Sequence, residues 1–276
     1  MPVHAAEPEL RLVSAVVWDR PESWFGGLSG LEIDRNGRDF IVIGDRGSVI
    51  RGRMIRLEGR LSAVEVLSRQ PLRDAQGRPL GENARDVEGL ALGRDGRAFV
   101  SLEDPHRVAR IDLDSGRLHD LPGHEDFNAF AVNRGLEALA IHPDGRLFAL
   151  AERRAGDNGT TRLYQFHRGH WRVSHQVPLS GPFVPVGADF DDAGRLYVLE
   201  RTLSPLGFRS RIRRLDLGSG PGLIETLLTT GPGRHDNLET LSVWRDQAGD
   251  TRLTLISDDN FLPVQRTEIV EYVLKE

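Results

Sequence analysis

Short runs of alternating apolar and polar residues, cut by glycine-containing turns, recur along this chain. Gly37-Arg38-Asp39-Phe40, Gly96-Arg97-Ala98-Phe99, Gly145-Arg146-Leu147-Phe148 and Gly194-Arg195-Leu196-Tyr197 share one pattern, with glycines 59, 49 and 49 residues apart and a weaker fifth copy at Gly249. Before each glycine stands a run such as Leu31-Glu32-Ile33, Leu90-Ala91-Leu92, Leu139-Ala140-Ile141, Ala188-Asp189-Phe190 or Leu241-Ser242-Val243. These read as first strands of hairpins, because side chains of a strand alternate between its two faces. Asn36-Gly37, Asp95-Gly96 and Asp144-Gly145 supply the positive-φ residues of a tight turn, and Phe40–Ile43, Phe99-Val100 and Leu147–Leu150 return as second strands.

A third strand follows in each copy: Met54–Leu57, Val108–Leu113, Leu163–Phe166, Ile212–Leu217 and Ile269–Leu274. Four copies add a fourth, at Val64–Leu67, Leu118–Leu121, Val173–Val177 and Leu223–Leu228. The fifth copy reaches Glu276 without one, and the unclaimed strand Leu10–Val17 supplies it from the N-terminus. A repeat of about fifty residues carrying four strands, closed by a strand from the other terminus, predicts an all-β fold: a β-propeller of four-stranded blades. The count gives five blades, and the long first interval and the segment 123–133 leave room for a degenerate sixth. Residues 1–7 read as a flexible tail and 8–276 as one propeller domain.

Composition narrows the function. With 36 basic and 41 acidic residues the net charge is -5, which argues against nucleic acid as a partner and for a cation as guest. No apolar run is long enough to span a membrane as a helix. The absence of cysteine excludes disulfides, thiolate metal sites and a thiol nucleophile. The small residues of Met1–Glu7 read as what is left beyond a removed export signal, so the expected location is periplasmic or secreted. The chain is read as a monomer.

In a propeller the first strand of each blade lines the channel and the second runs antiparallel to it, so the start of one and the end of the other share a face. First strands begin with Glu88, Glu137 and Glu239, and with Ser29 and Val186 in the other two copies. Second strands end near Asp45, Glu103, Glu152, Glu200 and Asp258, a carboxylate in every copy. Crowded carboxylates are relieved by raised pKa values, by arginine pairing or by a hard cation such as Ca²⁺. Glu88, Glu137 and Glu239, with Glu103, Glu152, Glu200 and Asp258, are therefore the expected metal ligands. Arg46, Arg153 and Arg201 are placed to neutralise them or to grip an anion. His235, just before Glu239, is placed for acid–base work, as is Glu137, with His106 a second histidine candidate. A structural reading stands beside this one, in which the acids cap backbone amides or form ion pairs between blades.

Gly27-Leu28-Ser29-Gly30-Leu31, Gly44-Asp45-Arg46-Gly47, Asp86-Val87-Glu88-Gly89-Leu90 and Asn237-Leu238-Glu239-Thr240-Leu241 together resemble the phytase-like family, also called esterase-like activity of phytase. The likeness runs from about Trp24 to Leu274. It implies a propeller with recurring glutamates, matched here by Glu88, Glu137 and Glu239, and hydrolysis of a phosphoester with Ca²⁺. Lys275 is the one lysine, and no dense basic cluster suited to a hexakisphosphate is present, so the expected substrate is a small anionic or phosphoester molecule rather than phytate itself. Two other readings remain open: a non-catalytic propeller that binds a ligand or protein with a structural cation, and a metal-dependent lactonase or esterase.

Overall fold

The computed structural model describes residues 8–81, 86–130, 135–152, 159–218 and 223–276. The tail expected over residues 1–7 and the candidate Arg153 lie outside them. Strand β1 (Glu9–Val17) comes first in the chain. Blade one is β2 (Leu28–Ile33), β3 (Asp39–Gly44), β4 (Ser48–Leu57) and β5 (Arg60–Pro71). Blade two is β6 (Val87–Leu92), β7 (Ala98–Leu102), β8 (Arg107–Ile111) and β9 (Leu118–Asp120). Blade three is β10 (Ala138–Ile141), β11 (Leu147–Leu150), β12 (Thr160–His167) and β13 (His170–Pro178). Blade four is β14 (Val184–Phe190), β15 (Leu196–Ser204), β16 (Gly207–Leu215) and β17 (Ile224–Thr229). Blade five is β18 (Asn237–Arg245), β19 (Thr251–Asp258) and β20 (Glu268–Lys275), completed by β1, which pairs antiparallel with β20 from Glu9↔Lys275 to Val17↔Glu268.

The hairpin glycines take the positive φ that the sequence predicts, from 67° at Gly37 to 88° at Gly145. The core is not central. It is divided into five apolar clusters, each built from two neighbouring blades: Trp244 and Ile256 of blade five meet Phe40 and Val42 of blade one, and so on around the ring to Leu199 against Leu255. Five interfaces between five blades leave none unmatched, which is what closure requires.

Among the described residues no sixth blade is formed. Glu125–Ala129, within the segment that left room for one, is a 3₁₀ turn whose Phe127 packs on Tyr164 and Trp171 of blade three. The long first interval is taken up by the 10- and 12-residue strands β4 and β5 and a bridge from Arg73 to Pro79. Among the described residues no helix is long and apolar enough to cross a membrane.

Between the two mouths the channel is packed shut. Leu31, Leu90, Leu139, Ala188 and Leu241, one from each first strand, line a remnant of only about 10 Å³. The blades approach so closely here that a Cβ on Gly30 would stand 2.7 Å from the Leu90 backbone nitrogen, and one on Gly187 would stand 2.7 Å from the Glu239 carbonyl oxygen. Each mouth is therefore a site of its own.

Candidate functional site

One mouth is built from the starts of the first strands. In four blades the pairing of first and second strands slips by one residue, between Leu28 and Gly30, Val87 and Gly89, Pro185 and Gly187, and Leu238 and Thr240. The residue inside each bulge is Ser29, Glu88, Val186 or Glu239. In blade three Glu137 occupies the same place, immediately before β10. A bulge frees one residue from the ladder and re-aims its side chain, so a repeated bulge places the same chain position on the mouth in blade after blade.

The second strands supply the outer ring. Ile33, Leu92, Ile141, Phe190 and Val243 pair with Phe40, Ala98, Leu147, Leu196 and Leu253. Five residues beyond these partners stand Asp45, Glu103, Glu152, Arg201 and Asp258. The fourth blade thus offers an arginine where the sequence reading expected Glu200. Glu200 lies one residue earlier, fully buried, with both oxygens held by Arg211 (2.6 Å) and Arg213 (2.9 and 2.5 Å). It belongs to an ion-pair network within blade four, not to the metal-ligand set.

The acids of the mouth act on one another. Burial, followed by repulsion from Glu152, Glu239 and Glu103, pushes Glu137 up to about 8. Burial and then Glu239 push Asp258 up to about 7. Asp45 and Glu88 are raised well above the usual carboxylate range, in each case by burial first, then by Asp258 for Asp45 and by Glu137 for Glu88. Ser29 donates a hydrogen bond to Asp45, which eases but does not reverse that rise. Glu239 is raised by burial and held back by Arg201, whose Nη1 lies 3.0 Å from Glu239 Oε1, and by Asn237, whose Nδ2 donates at 2.8 Å. Burial works against the charge on Arg201, but Glu239, Glu137, Glu152 and Asp258 outweigh it.

Asp86, two residues before Glu88 and just ahead of β6, joins the set unforeseen; burial and Asp104 raise its pKa. The alternation Asp86-Val87-Glu88 was the signal available for it. Ligand oxygens of Asp86, Glu88 and Glu103 lie within 4.8 Å of one another, and the Gly135 N–H donates to Glu103 Oε1 at 2.9 Å. Oxygens at this spacing suit a shared ion with bonds of about 2.3–2.6 Å, and an all-oxygen donor set is that of a hard cation. The residues present therefore fit Ca²⁺.

Other candidates are placed elsewhere. Arg46 is exposed at the rim, where it donates to the Ser23 carbonyl and stacks 3.5 Å over the ring of Phe261. His235 is buried against β20 side chains, with Nε2 2.6 Å from the Tyr272 hydroxyl and Nδ1 3.6 Å from Glu268. These contacts give it a structural place rather than the acid–base one expected from its nearness to Glu239. His106 packs edge-on against Phe130, 3.9 Å from Glu103.

A closed ring of five four-stranded blades, with acids gathered at one mouth, defines a β-propeller. The chain belongs to the phytase-like family, esterase-like activity of phytase, whose model matches residues 23–261. Solved structures with the same architecture include the PQQ-bound aldose sugar dehydrogenase of Streptomyces coelicolor, at 14% identity over 98% of this chain and 99% of that one with a TM-score of 0.51. The endo-arabinase of Bacteroides thetaiotaomicron, at 12% identity over 91% and 94% of the two chains, and a luciferin-regenerating enzyme, at 10% over 90% and 91%, give the same TM-score of 0.51. No curated protein matches the chain in sequence.

Proposed function

We propose that this phytase-like propeller hydrolyses a phosphoester at its acidic mouth with Ca²⁺ as cofactor. The observation that carries the reading is the gathering of acids from four blades around one arginine, with Asp86, Glu88 and Glu103 at ion-sharing distance. Those three would hold the cation. When bound, Ca²⁺ supplies the positive charge that polarises a phosphoryl oxygen. Arg201, ion-paired with Glu239 on one side, offers the rest of its guanidinium to the substrate anion from blade four. Hydrolysis joins a water oxygen to phosphorus and breaks the ester P–O bond. Asp258 takes the proton from the water, and Glu137, held protonated by its neighbours, gives one to the leaving oxygen. We place the protein in the periplasm or outside the cell, where calcium modules work.

The test is calorimetric titration of chelator-stripped protein with CaCl₂, run beside turnover of p-nitrophenyl phosphate and bis(p-nitrophenyl) phosphate. We expect saturable Ca²⁺ binding that Glu88→Gln abolishes, and turnover that Glu137→Gln lowers by about 10²–10⁴-fold. No Ca²⁺ binding overturns the metal mechanism. Binding without turnover of either ester, in protein that hydrolyses a simple lactone, moves the activity to the carboxylic ester class.

A further inference from the structure

The opposite end of the channel is layered by charge. Deepest, next to the leucine-lined waist, are the buried acids Glu32 and Asp189. Outside them Ile33, Leu92, Ile141, Phe190 and Val243 line a cavity of about 140 Å³. At the rim Arg35, Arg94 and Arg245, from three blades, face the single carboxylate of Asp192: Arg94 forms a hydrogen-bonded ion pair with it, while Arg35 and Arg245 stand 3.7 and 3.9 Å away. Asp191, the other acid at the rim, is committed to Arg195 at 2.6 Å. We infer that this mouth is a second binding site, for a small zwitterion with an ammonium group and a carboxylate at opposite ends of an apolar spacer.

The acids have a structural use that does not account for a carboxyl group at either position. Three of the five first strands latch the next: Glu32 Oε1 accepts from Leu92 N–H at 2.9 Å, Asp189 Oδ2 from Val243 N–H at 2.6 Å, and Ser242 Oγ from Ile33 N–H at 3.0 Å. Ser242 makes the same bond with a neutral hydroxyl, so the latch needs an oxygen and not an anion. Glu32 keeps its second oxygen without a hydrogen bond among the described residues, in a group that lines the cavity. Two buried carboxylates facing one cavity are relieved by a cation that donates hydrogen bonds, and an ammonium group supplies three.

The rim asks for the opposite charge. Three guanidiniums on one carboxylate leave two positive charges for a second anion, and Arg binds carboxylates through paired N–H donors. Arg35 lies in the turn after β2, three positions beyond Glu32, so the chain sets the two at most about 10 Å apart, and the apolar ring fills the interval. A spacer of four methylenes matches both the span and the lining. A simple anion would leave the acids unanswered, and a simple amine would leave the arginines so. The inference does not rest on the calcium reading, because the packed waist separates the two mouths.

The experiment is calorimetric titration of the full chain, calcium-free, with 5-aminopentanoate, pentanoate and pentylamine. Saturable binding of 5-aminopentanoate at least tenfold tighter than either single-ended compound is expected. Arg94→Ala, at a half-exposed rim position beyond the packed waist from the acidic mouth, should weaken it about tenfold and leave phosphoester turnover unchanged. Glu32→Gln should erase the advantage over pentanoate. Absence of saturable binding overturns the inference, as does equal affinity for 5-aminopentanoate and pentanoate, or affinity that neither substitution changes.

Discussion

At the scale of single residues, Arg201 decides the character of the acidic mouth. It occupies the position that holds a carboxylate in the other four blades, and it both steadies Glu239 and competes with any cation for the same acids. Its removal should therefore act with opposite signs. Arg201→Ala is expected to lower the melting temperature of calcium-free protein and to tighten Ca²⁺ binding, as read by calorimetry; looser Ca²⁺ binding would contradict the placement. Titration offers a second prediction. Burial pushes Asp189 up to about 7 and Glu32 in the same direction, while Glu137 and Asp258 at the other mouth reach about 8 and about 7. An acid whose native pKa is raised binds more protons folded than unfolded between the two values, so stability grows as pH falls through that window and is level below the ordinary carboxylate range. Calcium-free protein should melt at higher temperature at pH 5.5 than at pH 8. Saturating Ca²⁺ should shrink that difference, since the mouth acids then answer to the cation; a melting temperature that falls on acidification would refute the account.

At the scale of strands, the hairpin repeat was readable because glycine turns and period-two alternation are local, and each predicted first, second and third strand is present. The bulges were not readable, since an inserted residue changes pairing without changing composition. The cost of missing them fell on blade four. Counted from the hairpin aromatic, Glu103 and Glu152 come four residues later, and the same count reaches Arg201 from Tyr197; expecting a carboxylate in every copy led instead to Glu200. Blade one runs one residue longer, because Phe40 pairs with Ile33 whereas Ala98, not Phe99, pairs with Leu92. His235 was misplaced for a related reason: nearness to Glu239 in sequence says nothing of direction, and its ring turns to Tyr272. The latches between first strands belong to this scale too. Ser242→Ala leaves the buried Ile33 N–H without its partner and should cost about 1–3 kcal/mol in urea unfolding.

At the scale of the whole molecule, the five clusters between blades make the ring one cooperative body whose seam is the pairing of β1 with β20. A protein lacking residues 1–18 should lose this seam, exposing the edge of β20 and the apolar face that Leu10 covers. It is expected to melt at markedly lower temperature or to aggregate, and a synthetic peptide of residues 8–18 added in trans should restore the melting temperature. An unchanged melting temperature in the truncated protein would show that β1 is dispensable.

That seam also sets a schedule. The first described strand to leave the ribosome finds its partner only when the last has been made, so β1 travels unpaired for nearly the entire synthesis of the chain. Blades one to four can form in order, each from contiguous sequence, but the ring stays open until β20 has been made, and its completion is a non-local event of the slow kind. The nascent chain therefore carries two sticky edges at once, β1 and the growing end of the last blade, and they are hidden by the same final step.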